Sequence, residues 1–322
     1  MIDSIAVRVP AKVNAQLAVG GRRPDGFHDL ANVFLAVGLY DEITVTPADE
    51  LRITVEGSDA DQVPRDRTNL AARAAELLAA RHGIEPRVHL HIAKDIPVAG
   101  GMAGGSADGA GALLACDALW NTGATREELL DICAELGSDV PFSLVGGAAL
   151  GRGRGELLTP LTVGGTFHWV FAVADGGLST PAVYGECDRL RAERGAGDTT
   201  DDVPAPEPSA ALLDALRAGD ATALAAALTA GPDGSSNDLQ AAAVSLRPSL
   251  ADTLRAGTEA GALASLVSGS GPTCAFLAKD AAGAEQVATA LAASGTCRTA
   301  RVAASPAAGA TVVREDRRAP SA

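Results

Sequence analysis

Between Pro97 and Leu114 the chain reads PVAGGMAGGSADGAGALL, with Gly100, Gly101, Gly104 and Gly105 crowded ahead of an alanine- and leucine-rich run. Before it, VHLHI (residues 88–92) alternates as a strand does. After it, Ala107, Ala110, Leu113, Leu114 and Trp120 give a helix an apolar side. A strand, a glycine loop and a helix N-terminus together make an anion site, because unpaired backbone N–H groups and the helix dipole point outward together. Glycine lets a phosphate approach the backbone with no Cβ in the way. No lysine follows these glycines as the P-loop pattern requires, and their spacing does not match G-x-G-x-x-G. The loop suits a phosphate or nucleotide ligand of unspecified kind; a plain glycine turn that starts a helix is the alternative.

The charges narrow the chemistry. A net charge of −14 argues against nucleic acid and against anionic membranes, and it means that a phosphorylated ligand must be attracted locally. Of 26 basic residues only Lys12, Lys94 and Lys279 are lysines. Lys12 sits in PAKVN and Lys94 just before the glycine loop. A compact ammonium with rotatable donors is not replaced by arginine at a phosphate or beside a catalytic carboxylate. Asp139 follows a helix stop at Gly137 in GSDVPF, where a loop carboxylate can accept a proton from a hydroxyl. Surface lysines and an ordinary loop carboxylate are the bland alternatives.

These residues must be held by a substantial scaffold. At 322 residues, 47% apolar, the chain can bury a full core as one large or two ordinary domains. No uninterrupted apolar run is long enough to span a membrane, and MIDSIAVRVPAKVN lacks a secretory layout. Five cysteines at irregular spacing form neither a disulfide framework nor a zinc pattern, so buried thiols and a cytoplasmic location are expected. Residues 5–55 read as β-rich, and 68–82 as an amphipathic helix capped by Thr68. Thr125 to Leu136 form a helix with a capping box, Thr125 with Glu128. The second half opens on a strand at 167–175, followed by a loop or insertion at 190–209 rich in glycine, proline and acid. Helices are expected at 209–217, 220–229, 237–247 and 249–260. Two strands around the turn GSGP, a helix at 281–293 and a strand TARVAA complete an α+β half with a mostly antiparallel sheet.

Three motifs then occur in order: PAKVN at 10–14, the glycine loop, and SGSGPT at 268–273. With them, over roughly residues 5–303, the chain resembles the GHMP small-molecule kinases. The resemblance implies an α+β fold, an N-terminal domain like ribosomal protein S5 domain 2 (residues 1–160) and a ferredoxin-like C-terminal domain (161–305), with 306–322 as a tail. It implies ATP with Mg²⁺, held along Pro97, Val98, Ala99, Gly100, Gly101, Met102, Ala103, Gly104, Gly105 and Ser106 with Lys94. Ser106 is the residue placed to touch a phosphate or the metal. Lys12 and Asp139 match the family's catalytic pair, a base for the hydroxyl and a cation for the transferring phosphoryl group.

The string GRRPDGFHDL (21–30) is not shared with mevalonate or homoserine kinases, and it implies 4-diphosphocytidyl-2-C-methyl-D-erythritol as the alcohol substrate. Among ten aromatic residues, Phe27 and Tyr184 are placed to sandwich the cytosine, with His28 on its edge. Asn14 is expected near the reacting end, and Gly269 and Gly271 in a turn over the substrate. Core packing for Tyr184 and a structural hairpin for the glycine turn are alternatives. Ala99, Ala103 and Ala107 replace two glycines and a serine of the family loop, and Phe27 replaces a tyrosine, losing a hydroxyl. A sister kinase for mevalonate or homoserine, or a nucleotide binder without catalysis, are the competing readings. No surface stands out as an interface, so a monomer or weak homodimer is expected.

Overall fold

The computed structural model describes residues 2–98, 100–195, 203–231 and 233–317. Two long strands, β1 (Ile2–Arg22) and β2 (His28–Pro47), form an antiparallel pair and the spine of the first sheet. β3 (Arg52–Gly57) and, after helix α1 (Leu70–His82), β4 (Val88–Lys94) extend it. The helices α2 (Gly104–Trp120), α3 (Arg126–Leu136) and α4 (Val140–Val145) follow, then the hairpin β5 (Ala148–Arg152) and β6 (Leu157–Pro160). β2 pairs with both β4 and β5, and β3 runs parallel to β4.

The second sheet takes β7 (Phe167–Val173), which leads through helices α5 (Thr180–Glu193), α6 (Ala210–Ala218), α7 (Ala221–Leu228), α8 (Gln240–Leu246) and α9 (Ser249–Glu259). β8 (Ala264–Val267), β9 (Cys274–Ala278), α10 (Ala281–Ser294) and β10 (Thr299–Ser305) close it in the antiparallel order β10-β7-β9-β8. Its strands alternate buried aromatics and aliphatics. Phe171 and Trp169 join the larger core, with Trp169 Nε1 donating to Ser305 Oγ at 2.9 Å, while Val170 and Phe276 face a second cluster beneath α5, α8 and α10.

Two details of the α1–α2 layer prepare the site. β1 is kinked by register shifts at Pro10/Ala11 and Asn14/Gln16, so the two-residue period that puts Lys12 and Asn14 on one face lies between two bulges. α2 packs close on that sheet because it carries glycine. A Cβ at Gly111 would stand 2.6 Å from Ile43 and 2.7 Å from Val9. The helix is small-faced for packing, and its N-terminus is thereby fixed against β1.

Three expectations need correction. The cap of α1 is Asn69, whose side chain accepts from Ala71 N, while Thr68 bonds to Asp66 instead. Residues 311–317 are no tail: they form β11 (Thr311–Arg317), which returns to the first sheet and pairs antiparallel with β1, satisfying an otherwise open edge. Part of the 190–209 segment is helix, since α5 runs to Glu193. Part is docked, since Gln16 donates to Glu207 O and accepts from Ser209 N. Residues 196–202 of that segment, and 318–322, lie outside the described residues. Among the described residues no helix is long and apolar enough to cross a membrane.

Candidate active site

The glycine loop delivers α2 with its N-terminus uncapped by any side chain. Ala103 precedes it at φ +62°, and no acidic residue occupies the first turn. The first-turn N–H groups of Gly104, Gly105 and Ser106 therefore point at whatever fills the space ahead of them. That space is a cleft of about 730 Å³ lined by Gly100, Gly101, Ala103, Gly104, Gly105 and Ser106 on this side. Nothing stands within 4 Å of a Cβ built on Gly105, so the backbone there is open to a ligand.

Lys12 and Asn14 form the cleft's floor. Lys12 Nζ donates to Asn14 Oδ1 at 2.6 Å and to Gly101 O at 3.0 Å, and stands 3.6 Å from Asp139 Oδ2. Asn14 Nδ2 in turn donates to Asn32 Oδ1 at 2.7 Å, which fixes the Asn14 amide so that its oxygen faces Lys12. Burial pushes the Lys12 ammonium below its ordinary range, with the Asp139 charge pulling the other way. Asp139 begins α4 with its side chain about one-third exposed, so the carboxylate is reachable from the cleft.

The turn at 268–273 closes over this floor. Ser268 Oγ donates to Gly101 O at 3.1 Å, and a Cβ on Gly101 (φ +74°) would stand 2.1 Å from Ser268 O. A Cβ on Gly269 (φ +58°) would stand 3.2 Å from Lys12 Nζ and from Asn14 Oδ1. Both glycines are required by backbone conformation and by close approach. Asn237 holds the turn from behind, donating to Val267 O and Gly269 O, each at 2.8 Å.

The cleft is further walled by Phe27, His28 and Tyr184, and by Leu178, Thr180 and the turn's own Gly271. The ring stacked on Tyr184 is His28, with centroids 5.0 Å apart. His28 Nε2 donates to Asp188, 2.9 Å from Oδ1 and 3.2 Å from Oδ2. Phe27 is half-exposed, with the Arg154 guanidinium 5.0 Å from its ring centroid. Tyr184 is partly buried, and desolvation raises its hydroxyl pKa.

The structure thus brings together Lys12, Asn14, Phe27, His28, Gly100, Gly101, Ala103, Gly104, Gly105, Ser106, Asp139, Tyr184, Gly269 and Gly271 around one cleft. Lys94, expected among the ATP contacts, is a correction. Its ammonium is buried 2.5 Å from Asp41 Oδ2 and 2.9 Å from Asp108 Oδ2, committed to two carboxylates beneath the loop. A Cβ on Gly104 would stand 3.2 Å from Lys94 Nζ, so this cation supports the loop from below. Burial opposes its charge, but the two carboxylates outweigh that and raise its pKa. Asp108 is pushed up to about 8, by burial first. Met102 is buried in the core and does not line the cleft; its backbone carbonyl accepts from Lys12 N at 3.2 Å. Pro97 and Val98 are also absent from the lining, and Ala99 lies outside the described residues. Sequence reasoning missed Asn32, Asn237, Arg154 and Asp188. Only tertiary pairing reveals them, since each lies far along the chain from the motif it supports.

An uncapped helix start behind a glycine loop faces a lysine–carboxylate pair across one cleft, an arrangement that suits alignment and charge stabilisation of a transferring phosphoryl group. The description "GHMP kinases N terminal domain" matches residues 69–147 and "GHMP kinases C terminal" matches 212–297. The chain is 76% identical over 287 residues to the 4-diphosphocytidyl-2-C-methyl-D-erythritol kinase of Streptomyces avermitilis, covering 88% of this chain and 91% of that one. The namesake protein of Streptomyces coelicolor is 72% identical over 286 residues, covering 88% and 91%. A crystal structure of 4-(cytidine 5'-diphospho)-2C-methyl-D-erythritol kinase superposes with a TM-score of 0.72 at 31% identity, covering 94% of this chain and 99% of that one. The chain belongs to the 4-diphosphocytidyl-2-C-methyl-D-erythritol kinase family, within the GHMP kinases.

Proposed function

We propose that this protein transfers the γ-phosphoryl group of ATP to the 2-hydroxyl of 4-diphosphocytidyl-2-C-methyl-D-erythritol, a step of the methylerythritol phosphate route to isoprenoid precursors. The observation that carries the mechanism is the Lys12–Asp139 pair at 3.6 Å, between the open N-terminus of α2 and the aromatic wall. In our reading the nucleotide phosphates lie on the N–H groups of Gly104, Gly105 and Ser106. Asp139 accepts the hydroxyl proton as that oxygen bonds to the γ-phosphorus and the bond to the bridging oxygen breaks, releasing ADP. Lys12, fixed by Asn14 and Gly101, places its charge on the transferring group with little freedom left to lose.

Tyr184 and Phe27 flank the space for the cytosine. Asp188 accepts from His28 Nε2, which orients the ring and leaves Nδ1 as the nitrogen for the polar edge of cytosine. Homoserine and mevalonate offer no base to this wall, which favours the cytidylyl substrate.

Among the described residues no group of three or more His, Cys, Asp or Glu gathers as a metal site. The oxygen donors present fit an ion delivered on the nucleotide phosphates rather than a protein cage. We assign Ser106 as the protein oxygen that would hold magnesium, which when bound neutralises phosphate charge. We place the enzyme in the cytoplasm, acting as a monomer or weak homodimer, with 1–160 and 161–305 as its two domains. ADP release measured with the cytidylyl substrate, with mevalonate, with homoserine and with ATP alone tests the reading; equal release in all four would overturn it.

A further inference from the structure

The aromatic wall contains a cation that no motif announced. Arg154 lies at the tip of the β5–β6 hairpin, in GRGRGE, and lines the cleft beside Phe27. Its position is built, not incidental. The hairpin tip is tied to the start of β2, since Leu30 N donates to Gly153 O at 2.8 Å, and β2 begins at His28. Glu156, largely buried, accepts from Arg154 N at 2.7 Å and stands 3.5 Å from Arg154 Nε. That pairing engages the inner edge of the guanidinium. The other two nitrogens, Nη1 and Nη2, make no hydrogen bond to any described residue, and the guanidinium carbon stands 5.0 Å from the Phe27 ring centroid in the lining of the cleft. A half-exposed ring with a guanidinium against it and no hydroxyl of its own is a stacking platform backed by a cation.

A cytidylyl substrate brings a diphosphate close to its base, and in a chain of net charge −14 that group needs a local cation. Lys12 is engaged at the far end with Asn14, Gly101 and Asp139, and Arg22, which also lines the cleft, has an interaction of its own. We infer that Arg154 is a specificity-determining residue that binds the diphosphate of the nucleotide handle through its outer fork, while its planar face backs Phe27. The ligand chemistry is that of a pyrimidine nucleoside diphosphate, and the assignment rests on the kinase reading above. A planar fork suits two phosphate oxygens, whereas an ammonium in its place would keep the charge and lose the geometry.

The test compares binding of CDP with that of cytidine, alongside steady-state kinetics, for wild type, Arg154→Ala, Arg154→Met and Arg154→Lys. Met preserves apolar contact with Phe27 but carries no charge. The expected result is a loss of about tenfold or more in CDP affinity for Ala and Met, the scale of a charge-assisted hydrogen bond, with a smaller loss for Lys. Cytidine affinity should change far less, KM for the cytidylyl substrate should rise in step with CDP, and KM for ATP should stay put. Unchanged CDP affinity in Arg154→Ala, or equal losses for CDP and cytidine, would overturn the proposal. CDP binding is read without turnover. A wild-type enzyme that binds CDP through Arg154 yet forms no ADP with the cytidylyl substrate would sink the kinase reading and leave this contact standing.

Discussion

The carbonyl oxygen of Gly101 accepts from the ammonium of Lys12 at 3.0 Å. Ser268 Oγ donates to the same oxygen at 3.1 Å. One backbone atom of the glycine loop therefore ties β1 to the turn from the second sheet, and the Lys12 ammonium is positioned by the loop that in the proposed reaction holds the nucleotide. Gly101→Ala should break this junction, because a Cβ would stand 2.1 Å from Ser268 O and φ is +74°. We expect a loss of about 2 kcal/mol or more in urea unfolding, together with a fall in turnover. Wild-type stability and rate in that variant would refute the junction.

Ala103 occupies a left-handed conformation at φ +62°, a region that favours glycine. An L-residue is strained there by about 1–2 kcal/mol, partly offset by the larger chain entropy that glycine loses on folding. Ala103→Gly should raise the urea midpoint, or at worst leave it unchanged. A clear drop would show that the methyl group contributes packing that outweighs the strain.

In the proposed reaction Lys12 acts as a cation, and burial sets its pKa below the ordinary 10.5. Activity should therefore fall, as pH rises, on a limb that comes earlier than that of an exposed lysine. Lys12→Arg, permanently charged, should be slower yet lack that limb. The same shift has a stability consequence. Between the lowered native value and 10.5 the unfolded chain binds more protons, so the stability contribution of this group increases with pH in that window. Profiles of kcat/KM for the two proteins across alkaline pH decide the matter.

Lys94 answers two carboxylates, Asp41 and Asp108, that are essentially without solvent exposure. Lys94→Met would strand that negative charge beneath the phosphate loop, at a cost of about 3–5 kcal/mol by analogy with broken buried pairs. Adding Asp41→Asn to Lys94→Met should restore part of the loss in chemical denaturation, since Asp41 is the fully buried carboxylate nearest the ammonium. No recovery would mean that the ammonium is held for packing rather than charge.

Much of this was legible in the chain because the chemistry clusters in sequence. Glycine spacing located the loop and the start of α2, and PAKVN and GSDVPF located the facing pair. The residues that escaped are those whose role is set by pairing across the fold. Lys94 reads as a phosphate ligand by its place before the loop, but Asp41, distant in sequence, takes its charge. Asn237 and Asn32 each orient a motif from another element, and neither sits in a pattern of its own. β11 was hidden because Thr311, Val312 and Val313 are followed by REDRR, whose charges read as a frayed end. The open edge of β1 supplies the pairing that propensity alone does not announce.

The central claim is that Asp139 takes the proton of the attacking hydroxyl. Asp139→Asn keeps the shape and removes the basicity, so single-turnover ADP formation with saturating ATP and cytidylyl substrate reads the claim directly. The expected rate is lower by about 100-fold or more, with CDP affinity unchanged. A rate close to that of the unmodified enzyme would contradict it.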